Sequence, residues 1–338
     1  MVALGCWRTK KNMRTRHFSS SDPVPSSEKE RHQPALLHEV VRFLDVQKAD
    51  IVVDATLGAS GHAQALAKGL GGNGLFIGLD LDEAALLRAS RALKASTARV
   101  VLISANFRDL AGALRKRDIS TITKVLFDLG MSSYQLNLDS GLPAEASAQA
   151  GRGFSFTADE PLIMTYRSKV PDSALTSATI VNTWKEQSLA DVIYGFGGER
   201  RSRKIARAIV ERRKAHPFKT SRELADLIAT LVPRRGRIHS ATKTFQALRI
   251  AVNDDLGALS EGLESAWELL APHGRIAVIT FHSLEDRIVK QMFAAWEKHG
   301  EGTRLNKKPI VPTREEMRSN RRSRSAKLRV IQKISHAR

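Results

Sequence analysis

Short runs of β-branched and other apolar residues recur along the first 130 positions, and stretches of helix length separate them. The apolar runs are IVVDATLG (51–58), GLFIGLDLD (74–82), RVVLISANF (99–107) and KVLFDLG (124–130). Apolar residues at helical spacing occupy QPALLHEVVRFL (33–44), HAQALAKGL (62–70) and EAALLRASRAL (83–93). This alternation predicts a parallel sheet with helices on both faces.

The alternation stops after Gly130, where a different pattern begins. Residues 139–160 are rich in Gly, Ala, Ser and Pro, as in a long loop. A helical pattern follows over 203–215. A second helix is predicted to begin at a capping box formed by Thr220 and Glu223. One long helix is predicted from Phe245 to about Leu270. Strand-like runs return at 272–283 and 327–334.

We therefore predict an α/β protein whose doubly wound sheet is interrupted after its fourth strand by a helical insert. The main domain is expected over 32–139 and 237–338, and the insert over 140–236. We expect the insert to recognise the substrate.

Basic residues outnumber acidic ones, 54 Lys and Arg against 35 Asp and Glu, which gives a formal net charge of +19. Such an excess is typical of proteins that bind nucleic acids, because Lys and Arg displace counterions from phosphates. A basic surface that serves solubility is the alternative. One tract covers 200–214 and includes Arg203, Lys204 and Arg207, and a second runs from Arg318 through Arg329. We expect both tracts to contact phosphates.

Composition also narrows the chemistry. Cys6 is the only cysteine, so an internal disulfide or a cysteine-based metal site is excluded. The ten histidines show no metal-binding spacing, and we predict no metal. No apolar run reaches the roughly 18–20 residues of a membrane span, so we expect no membrane association.

The first 31 residues differ from the rest of the chain. Up to Ser21 they contain Arg and Lys but no acid, and RHFSSS follows at 16–21. This composition is typical of a mitochondrial transit peptide, which predicts a protein of the mitochondrial matrix. A disordered basic tail that touches RNA, in a cytoplasmic protein, is the alternative.

A cofactor loop is predicted where the first strand ends, in DATLGASGH (54–62). Gly58 and Gly61 allow close backbone approach, and Asp80 ends the second strand 19 residues after Gly61, a spacing that suits a carboxylate on a ribose. A dinucleotide would favour GxGxxG, which is missing here, whereas S-adenosylmethionine has no pyrophosphate to bind. S-adenosylmethionine is therefore favoured, with tight turns that bind nothing as the alternative.

Eight segments in order resemble one protein family. They are HQPALLHEV, DATLGASGH, GLDLD, DLGMSSYQL, RGFSF, ERRSRKIARAIV, ATKTFQALRIAVN and FHSLEDRIVK, and they extend over about 32–333. The family is that of the bacterial small-subunit rRNA cytosine-N4 methyltransferases, the RsmH/MraW type. The resemblance implies a class I methyltransferase fold, S-adenosylmethionine as cofactor, and small-subunit rRNA or the small ribosomal subunit as partner.

The resemblance also implies a set of cofactor-binding residues, which are Ser60, Gly61, His62, Asp80, Phe107, Asp128 and Gln135. Phe107 would form a wall for adenine, although a core aromatic at a strand end is an alternative. His62 has the alternative of an ordinary residue at a helix N-terminus. Gln135 has that of a solvated loop residue.

Methyl transfer to an amine needs positioning and a hydrogen-bond acceptor. Asp128, at the carboxyl end of the fourth strand, is the candidate acceptor, unless it serves only the cofactor. His282 of FHSLEDR is a second catalytic candidate, and it is expected to line the substrate pocket together with Arg287. A polar turn with an internal Arg–carboxylate pair is the alternative. Phe154 or Phe156 of RGFSF is expected to stack on an extruded base.

The chain departs from the family pattern at several positions. Ser60 replaces a glycine that is usual in the loop. A small residue fits at this position provided that its φ is negative. PLIMTY (161–166) occupies the position of the family's PLDMRM, and FGGE (196–199) that of its tyrosine-glycine-glutamate-glutamate motif. The additional stretch 142–150 lengthens the loop before RGFSF.

These changes leave a second function open, an RNA-binding ribosome assembly factor whose methyltransferase activity is weak or lost. A dinucleotide-dependent oxidoreductase is disfavoured, because the sequence lacks GxGxxG and carries basic tracts. Sequence leaves the choice between a monomer and a homodimer open.

Overall fold

Seven strands form one sheet in the computed structural model, which describes residues 33–130, 151–155, 159–167, 170–234 and 239–335. The strands are β1 (Ile51–Asp54), β2 (Leu75–Asp80), β3 (Arg99–Ser104), β4 (Ile122–Asp128), β5 (Leu270–Thr280), β6 (Gly302–Arg304) and β7 (Lys327–Lys333). Their order is β3-β2-β1-β4-β5-β7-β6. Strands β1 to β5 pair in parallel, and β7 is antiparallel to β5 and β6. The predicted doubly wound α/β sheet is confirmed.

Helices surround the sheet and fill the interval between β4 and β5. Those before β4 are α1 (Leu37–Leu44), α2 (Gly61–Ala67), α3 (Glu83–Ala92) and α4 (Leu110–Arg115). The interval contains α5 (Ser177–Thr183), α6 (Glu186–Gly197), α7 (Ser202–Ala215), α8 (Ser221–Leu231), α9 (Thr242–Asn253) and α10 (Asp255–Leu269). α11 (Ser283–Lys298) and α12 (Arg314–Ser319) follow β5, and 3₁₀ turns occupy Phe107–Asp109 and Arg321–Ser325. Within the described residues, no helix is both long and apolar enough to span a membrane.

Alternation along the strands divides the apolar core between the two faces of the sheet. Val52 and Phe76 lie in the cluster that includes residues of α1 to α3, whereas Val53 and Ile77 lie in the cluster that includes residues of α10 and α11. Successive side chains of a strand point to opposite faces, so each central strand contributes to both clusters. Both faces are therefore covered, as a parallel sheet requires.

A third apolar cluster lies within the helical interval. Ile205 and Ile209 of α7 are buried in it. The predicted capping box is confirmed, since Thr220 and Glu223 bond reciprocally at the start of α8. The cluster also contains Phe245 of α9, beyond residue 236. The insert boundaries of 140–236 stay a prediction, and the packing of this region continues into α9.

The prediction of one long helix from Phe245 to about Leu270 is wrong. The chain turns at Asp254, whose φ of 48° lies in the left-handed region, and this turn separates α9 from α10. Aspartate tolerates that region better than most residues do. Its carboxylate pairs with Arg108, which follows β3. The break therefore coincides with a contact between residues distant in sequence.

Candidate active site

The turn after β1 is tied to β4 and β2 by side-chain bonds to the backbone. Asp54 Oδ1 accepts the Thr56 N–H at 3.1 Å, and the Thr56 hydroxyl accepts the N–H of Asp128 at 2.7 Å. Gly58, whose φ is 48°, donates its N–H to Asp80 Oδ2 at 2.9 Å. The carboxyl ends of three neighbouring strands thus meet at this turn.

Asp80 ends β2 with its carboxylate fixed between two backbone donors. Oδ2 accepts from Gly58, and Oδ1 accepts from the N–H of Asp82 at 2.9 Å. Burial raises the pKa of Asp80, and the two N–H donors oppose that rise only in part. Asp82 has a different role, because its Oδ1 accepts the Ala84 N–H and caps α3.

His62 lies in the first turn of α2 and is only 5% exposed. Its Nδ1 is 3.2 Å from Asp128 Oδ2, and its Nε2 is 3.0 Å from the carbonyl oxygen of Ala35. Burial lowers the pKa of the ring, but the hydrogen bond and the charge of Asp128, together with Asp54, raise it above its usual value. Asp128 Oδ1 is buried and has no hydrogen-bond partner among the described residues.

Asp54 is a member of this site that the sequence analysis missed. It is 1% exposed, and burial raises its pKa to about 7, with His62 opposing the rise and Asp128 and Asp80 adding to it. The available signal was a carboxylate at the end of an otherwise apolar strand. Such a group is a candidate for function because its ionisation lies near neutral pH.

The glycine loop differs from expectation at two residues. The condition of a negative φ for Ser60 is not met, because its φ is 66°, and its buried hydroxyl has no partner among the described residues. A Cβ at Gly61 would lie 2.4 Å from Cγ of Pro34, so this glycine makes room for the preceding chain. Gly58, rather than Gly61, contacts the carboxylate of Asp80.

The segment before α1 is held over the glycine loop from two sides. Ala35 contacts His62, and Pro34 contacts Gly61. On the other side, Asn320 donates to the carbonyl oxygen of Gln33 at 2.9 Å. Glu316 of α12 accepts the N–H of Leu36 at 2.8 Å.

Phe107 follows β3 and is half-buried. Its ring meets that of Phe127 edge to face at a centroid distance of 5.6 Å. A Cβ at Gly262 of α10 would lie 2.7 Å from the Phe107 ring. These contacts are those of the core-aromatic alternative, and the adenine wall stays a prediction.

His282 precedes α11 and serves as its N-cap. Its Nδ1 accepts the Glu285 N–H at 3.4 Å, and its Nε2 lies 2.8 Å from Glu285 Oε1. Glu285 Oε2 in turn accepts the N–H groups of Phe281 and His282, which completes a capping box. These contacts correspond to the polar-turn alternative, and a catalytic role for His282 stays a prediction.

The FHSLEDR segment contains a buried ion pair, but Arg287 is exposed and is not part of it. Asp286 Oδ1 accepts from Arg329 Nε at 2.7 Å, and its Oδ2 lies 3.3 Å from Lys327 Nζ. Burial opposes ionisation of Asp286, yet these two cations hold its pKa below the usual value. Arg329 was predicted to contact phosphate, but it is 5% exposed and already paired.

Phe154 was predicted to stack on an extruded base, and its placement argues against that role. The side chain is 5% exposed within the third apolar cluster. Its ring is parallel to that of Tyr166 at a centroid distance of 5.7 Å. The other two predicted residues, Gln135 and Phe156, lie outside the described residues.

A second buried polar group joins the PLIMTY segment to the turn between α9 and α10. Asp255 Oδ2 accepts from Arg249 Nε at 3.1 Å and from the Tyr166 hydroxyl at 3.4 Å. Burial raises the pKa of Asp255 to about 6, although Arg249 opposes the rise. Asn253 adds a bond from its amide to the carbonyl oxygen of Met164 at 2.8 Å.

The predicted basic tract of α7 is divided between exposed and engaged side chains. Arg203, Lys204 and Arg207 are exposed, and Arg207 Nε is 3.6 Å from Glu186. In contrast, Arg201 and Arg213 donate to backbone carbonyl oxygens. The exposed side chains form a face that is available to a polyanion.

Three bacterial proteins named ribosomal RNA small subunit methyltransferase H are similar to this chain. The protein of Coprothermobacter proteolyticus is 43% identical over 302 residues, covering 89% of this chain and 96% of its own. That of Dictyoglomus thermophilum is 43% identical over 300 residues, covering 88% and 95%. That of a Paenibacillus species is 42% identical over 328 residues, covering 90% and 99%.

A family model described as the MraW methylase family matches residues 29–334. The match includes the sheet, the glycine loop and the helical interval between β4 and β5. It agrees with the eight segments that carry the resemblance in the sequence. With this match and these relatives, the chain belongs to the MraW methylase family.

Proposed function

We propose that this protein transfers a methyl group from S-adenosylmethionine to the N4 amine of a cytidine in small-subunit rRNA. The chain is a methylase of the MraW family, and S-adenosylmethionine is its cofactor. The observation that carries the proposal is the meeting of Gly58, Asp80, His62 and Asp128 at the carboxyl edge of the sheet. In open α/β sheets, ligands bind at this edge. The names of the three relatives support small-subunit rRNA as the substrate.

The residues at the edge fit this cofactor. The Asp80 carboxylate is fixed by two backbone donors and keeps further lone pairs, which suits two ribose hydroxyls. Ser60 Oγ and Asp128 Oδ1 are buried without partners among the described residues, as expected of groups that a polar ligand completes. When bound, S-adenosylmethionine supplies an electrophilic methyl group on its sulfonium.

Asp128 is the proposed proton acceptor. The lone pair of a cytosine N4 amine is delocalised into the ring, so the amine is a weak nucleophile and depends on orientation. A carboxylate oxygen that accepts an amine N–H favours a pyramidal nitrogen and takes the proton as the new bond forms. Oδ1 of Asp128 has this capacity because nothing else in the described structure binds it.

We extend the proposal to the exposed face of α7, formed by Arg203, Lys204 and Arg207. All three side chains are exposed on one helix of a chain with a net charge of +19. Contacts of this kind weaken as salt rises, because counterions are released on binding. Neutralising all three residues is expected to lower both RNA affinity and the slope of its salt dependence, with cofactor affinity unchanged.

Nucleoside mass spectrometry of small-subunit rRNA tests the proposal. Wild-type protein is expected to produce N4-methylcytidine, and Asp128→Ala to abolish it, a loss of at least about 100-fold for removal of an acid–base group. Glu268→Ala is the matched control, since Glu268 is an exposed carboxylate that pairs with Arg115 at the end of α10. Cofactor binding by wild-type protein without any methylated cytidine would instead indicate the assembly-factor function.

The leader, residues 1–31, carries a proposal about location. It lies outside the described residues, and its Arg-rich, acid-free composition up to Ser21 supports import into the mitochondrial matrix. A fluorescent reporter fused to residues 1–31 is expected to enter mitochondria. A cytosolic reporter, with weaker RNA binding after deletion of 1–31, would favour the basic-tail alternative.

A further inference from the structure

Both ring nitrogens of His62 face oxygen acceptors. Nε2 is 3.0 Å from the carbonyl oxygen of Ala35, which has no proton to give. The Nε2 atom must therefore carry the hydrogen of that contact. Nδ1 is 3.2 Å from Oδ2 of Asp128, which when ionised is also only an acceptor.

The two contacts require two protons, whereas a neutral imidazole carries one. The pair of His62 and Asp128 therefore holds a second proton between Nδ1 and Oδ2. The surrounding charges favour its residence on the ring. Asp54 of β1 is 1% exposed and, together with Asp128, raises the pKa of this imidazole. The two carboxyl groups that act on His62 are therefore Asp128 and Asp54, and the ionised form of each favours the imidazolium.

The consequence for Asp128 is that its two oxygens differ. Oδ2 is engaged by His62, and the backbone N–H is held by Thr56. Oδ1 is buried and without a partner in the described part of the chain. One atom of the carboxylate is therefore left to accept a hydrogen bond.

We propose that His62 is a positioning residue whose doubly protonated ring fixes Asp128 Oδ2 and directs Oδ1 to the N–H of the target amine. The identity of that amine rests on the proposed function, whereas the charge of the ring does not. With S-adenosylmethionine bound, the amine nitrogen would receive the methyl group, and the electron pair of the broken sulfur–methyl bond would stay on sulfur as a thioether. The amine proton would pass to Oδ1, and its bonding electrons would stay on nitrogen. The proton then leaves Oδ1 for water.

Nuclear magnetic resonance of the cofactor-free protein, with ¹⁵N-labelled histidine, tests the charge of the ring. We expect His62 to show two protonated ring nitrogens at neutral pH. The exposed His38 of α1 serves as the reference for a solvated ring in the same spectrum. The resonance is assigned by its loss in His62→Asn. A His62 ring with a single proton at neutral pH overturns the proposal.

Asp128→Asn separates the effect of Asp128 from that of Asp54. An asparagine amide donates to Nδ1, so the ring is expected to become neutral with its proton on Nε2. Asp54→Asn leaves the pair intact, and its ring is expected to stay doubly protonated. If the ring stays charged in Asp128→Asn and loses its charge in Asp54→Asn, the role given to Asp128 is wrong.

Two substitutions of His62 divide its contacts. The side-chain amide of Asn occupies about the position of Nδ1, so His62→Asn keeps a donor for Asp128. Gln reaches the position of Nε2, so His62→Gln keeps only the Ala35 contact. We expect His62→Gln to lower kcat about 100-fold and His62→Asn less than about tenfold, as for loss and retention of an oriented acid–base group. Equal losses, or a larger loss in Asn, contradict the positioning role.

Calorimetry with S-adenosylmethionine accompanies these assays, because loss of cofactor affinity also lowers turnover. Turnover of both variants is therefore compared at saturating cofactor, so that a difference in kcat is separated from a change in cofactor affinity. Wild-type protein that binds cofactor but methylates no cytidine defeats the proposed function and leaves the charge of the ring standing. Wild-type protein that methylates cytidine with a singly protonated His62 defeats this inference alone.

Discussion

Two buried polar clusters in this protein differ in whether their polar atoms have hydrogen-bond partners. The glycine-loop cluster, formed by Asp54, His62 and Asp128, has a carboxylate oxygen without a partner among the described residues. The elbow cluster, formed by Tyr166, Arg249 and Asp255, joins a hydroxyl and a guanidinium to one carboxylate. In the first cluster, Oδ1 of Asp128 is left to accept a hydrogen bond from a ligand. In the second cluster, the side chains bind each other.

This difference indicates that the glycine-loop cluster serves ligand binding and that the elbow cluster serves stability. A buried polar atom without a partner costs about 1–3 kcal/mol, so such atoms persist mainly where a ligand completes them. The elbow cluster instead fixes the PLIMTY segment against the turn between α9 and α10. Tyr166, at a position where the family has methionine, takes part in this structural contact.

The largest expected effect comes from opening the elbow cluster with Asp255→Ala. Arg249 and Asp255 are only 14% and 15% exposed, so the change leaves a buried guanidinium unpaired. We expect a loss of about 3–5 kcal/mol in the free energy of unfolding, measured by urea denaturation. Glu268→Ala, which breaks an exposed pair, should cost less than about 1 kcal/mol. Similar losses in the two variants would mean that the elbow cluster stabilises nothing.

Asp80→Ala tests the cofactor side of the same comparison. The substitution removes a carboxylate that two backbone N–H groups orient. Calorimetry should show S-adenosylmethionine affinity lower by on the order of 100-fold, since charged hydrogen bonds contribute about 1.5–3 kcal/mol. Asp82→Ala is the matched control, which removes the cap of α3 at a cost of about 1 kcal/mol in stability. Equal affinity in Asp80→Ala and wild type contradicts the ribose contact.

Asp54→Asn tests the titration of the glycine-loop cluster. Burial raises the pKa of Asp54 to about 7 in the folded protein from its ordinary 3.8, so the folded state keeps a proton that the unfolded state loses. Stability therefore falls as pH rises from about 4 to about 7. Between pH 5 and 8, wild type should lose about 2 kcal/mol more than Asp54→Asn in urea denaturation. Parallel stability curves would contradict this expectation.

Ser60→Gly is expected to have the smallest effect. A left-handed φ costs a non-glycine residue about 1–2 kcal/mol, and Ser60 has a φ of 66°. Glycine removes that strain but adds freedom to the unfolded chain, so a net gain of about 0.5 kcal/mol is expected. Gly58→Ser, in the same loop at a φ of 48°, should have the opposite sign. Thermal unfolding of both variants measures the pair, and a less stable Ser60→Gly would contradict the strain argument.

The sheet was predictable because its strands are short and apolar and alternate with helical patterns. The turn at Asp254 was not, since aspartate within a helical pattern gives little signal and its partner Arg108 lies 146 residues away. Local sequence carries the 3.6-residue period of a helix but not a distant ion pair. The predicted helix therefore runs through Asp254, where the structure separates α9 from α10.

The cofactor side of the site was predicted more fully than the substrate side. Asp80 and His62 lie in short motifs next to strand ends, whose position in the fold follows from the alternation. The titration of Asp54 depends on burial between β2 and β4, which sequence order alone does not provide. The burial of Phe154 in the third apolar cluster was not predicted, because an aromatic in a loop pattern gives no indication of what packs against it.

The segment over the glycine loop limits how far the N-terminal part of the chain can be shortened with the site intact. Gln33 and Leu36 are anchored to α12, Pro34 fills the space beside Gly61, and Ala35 supplies the acceptor for His62. Shortening the chain past Ala35 would remove the carbonyl oxygen that contacts Nε2 of His62. The segment before α1 and the carboxylate of Asp128 are thereby linked through a single imidazole ring.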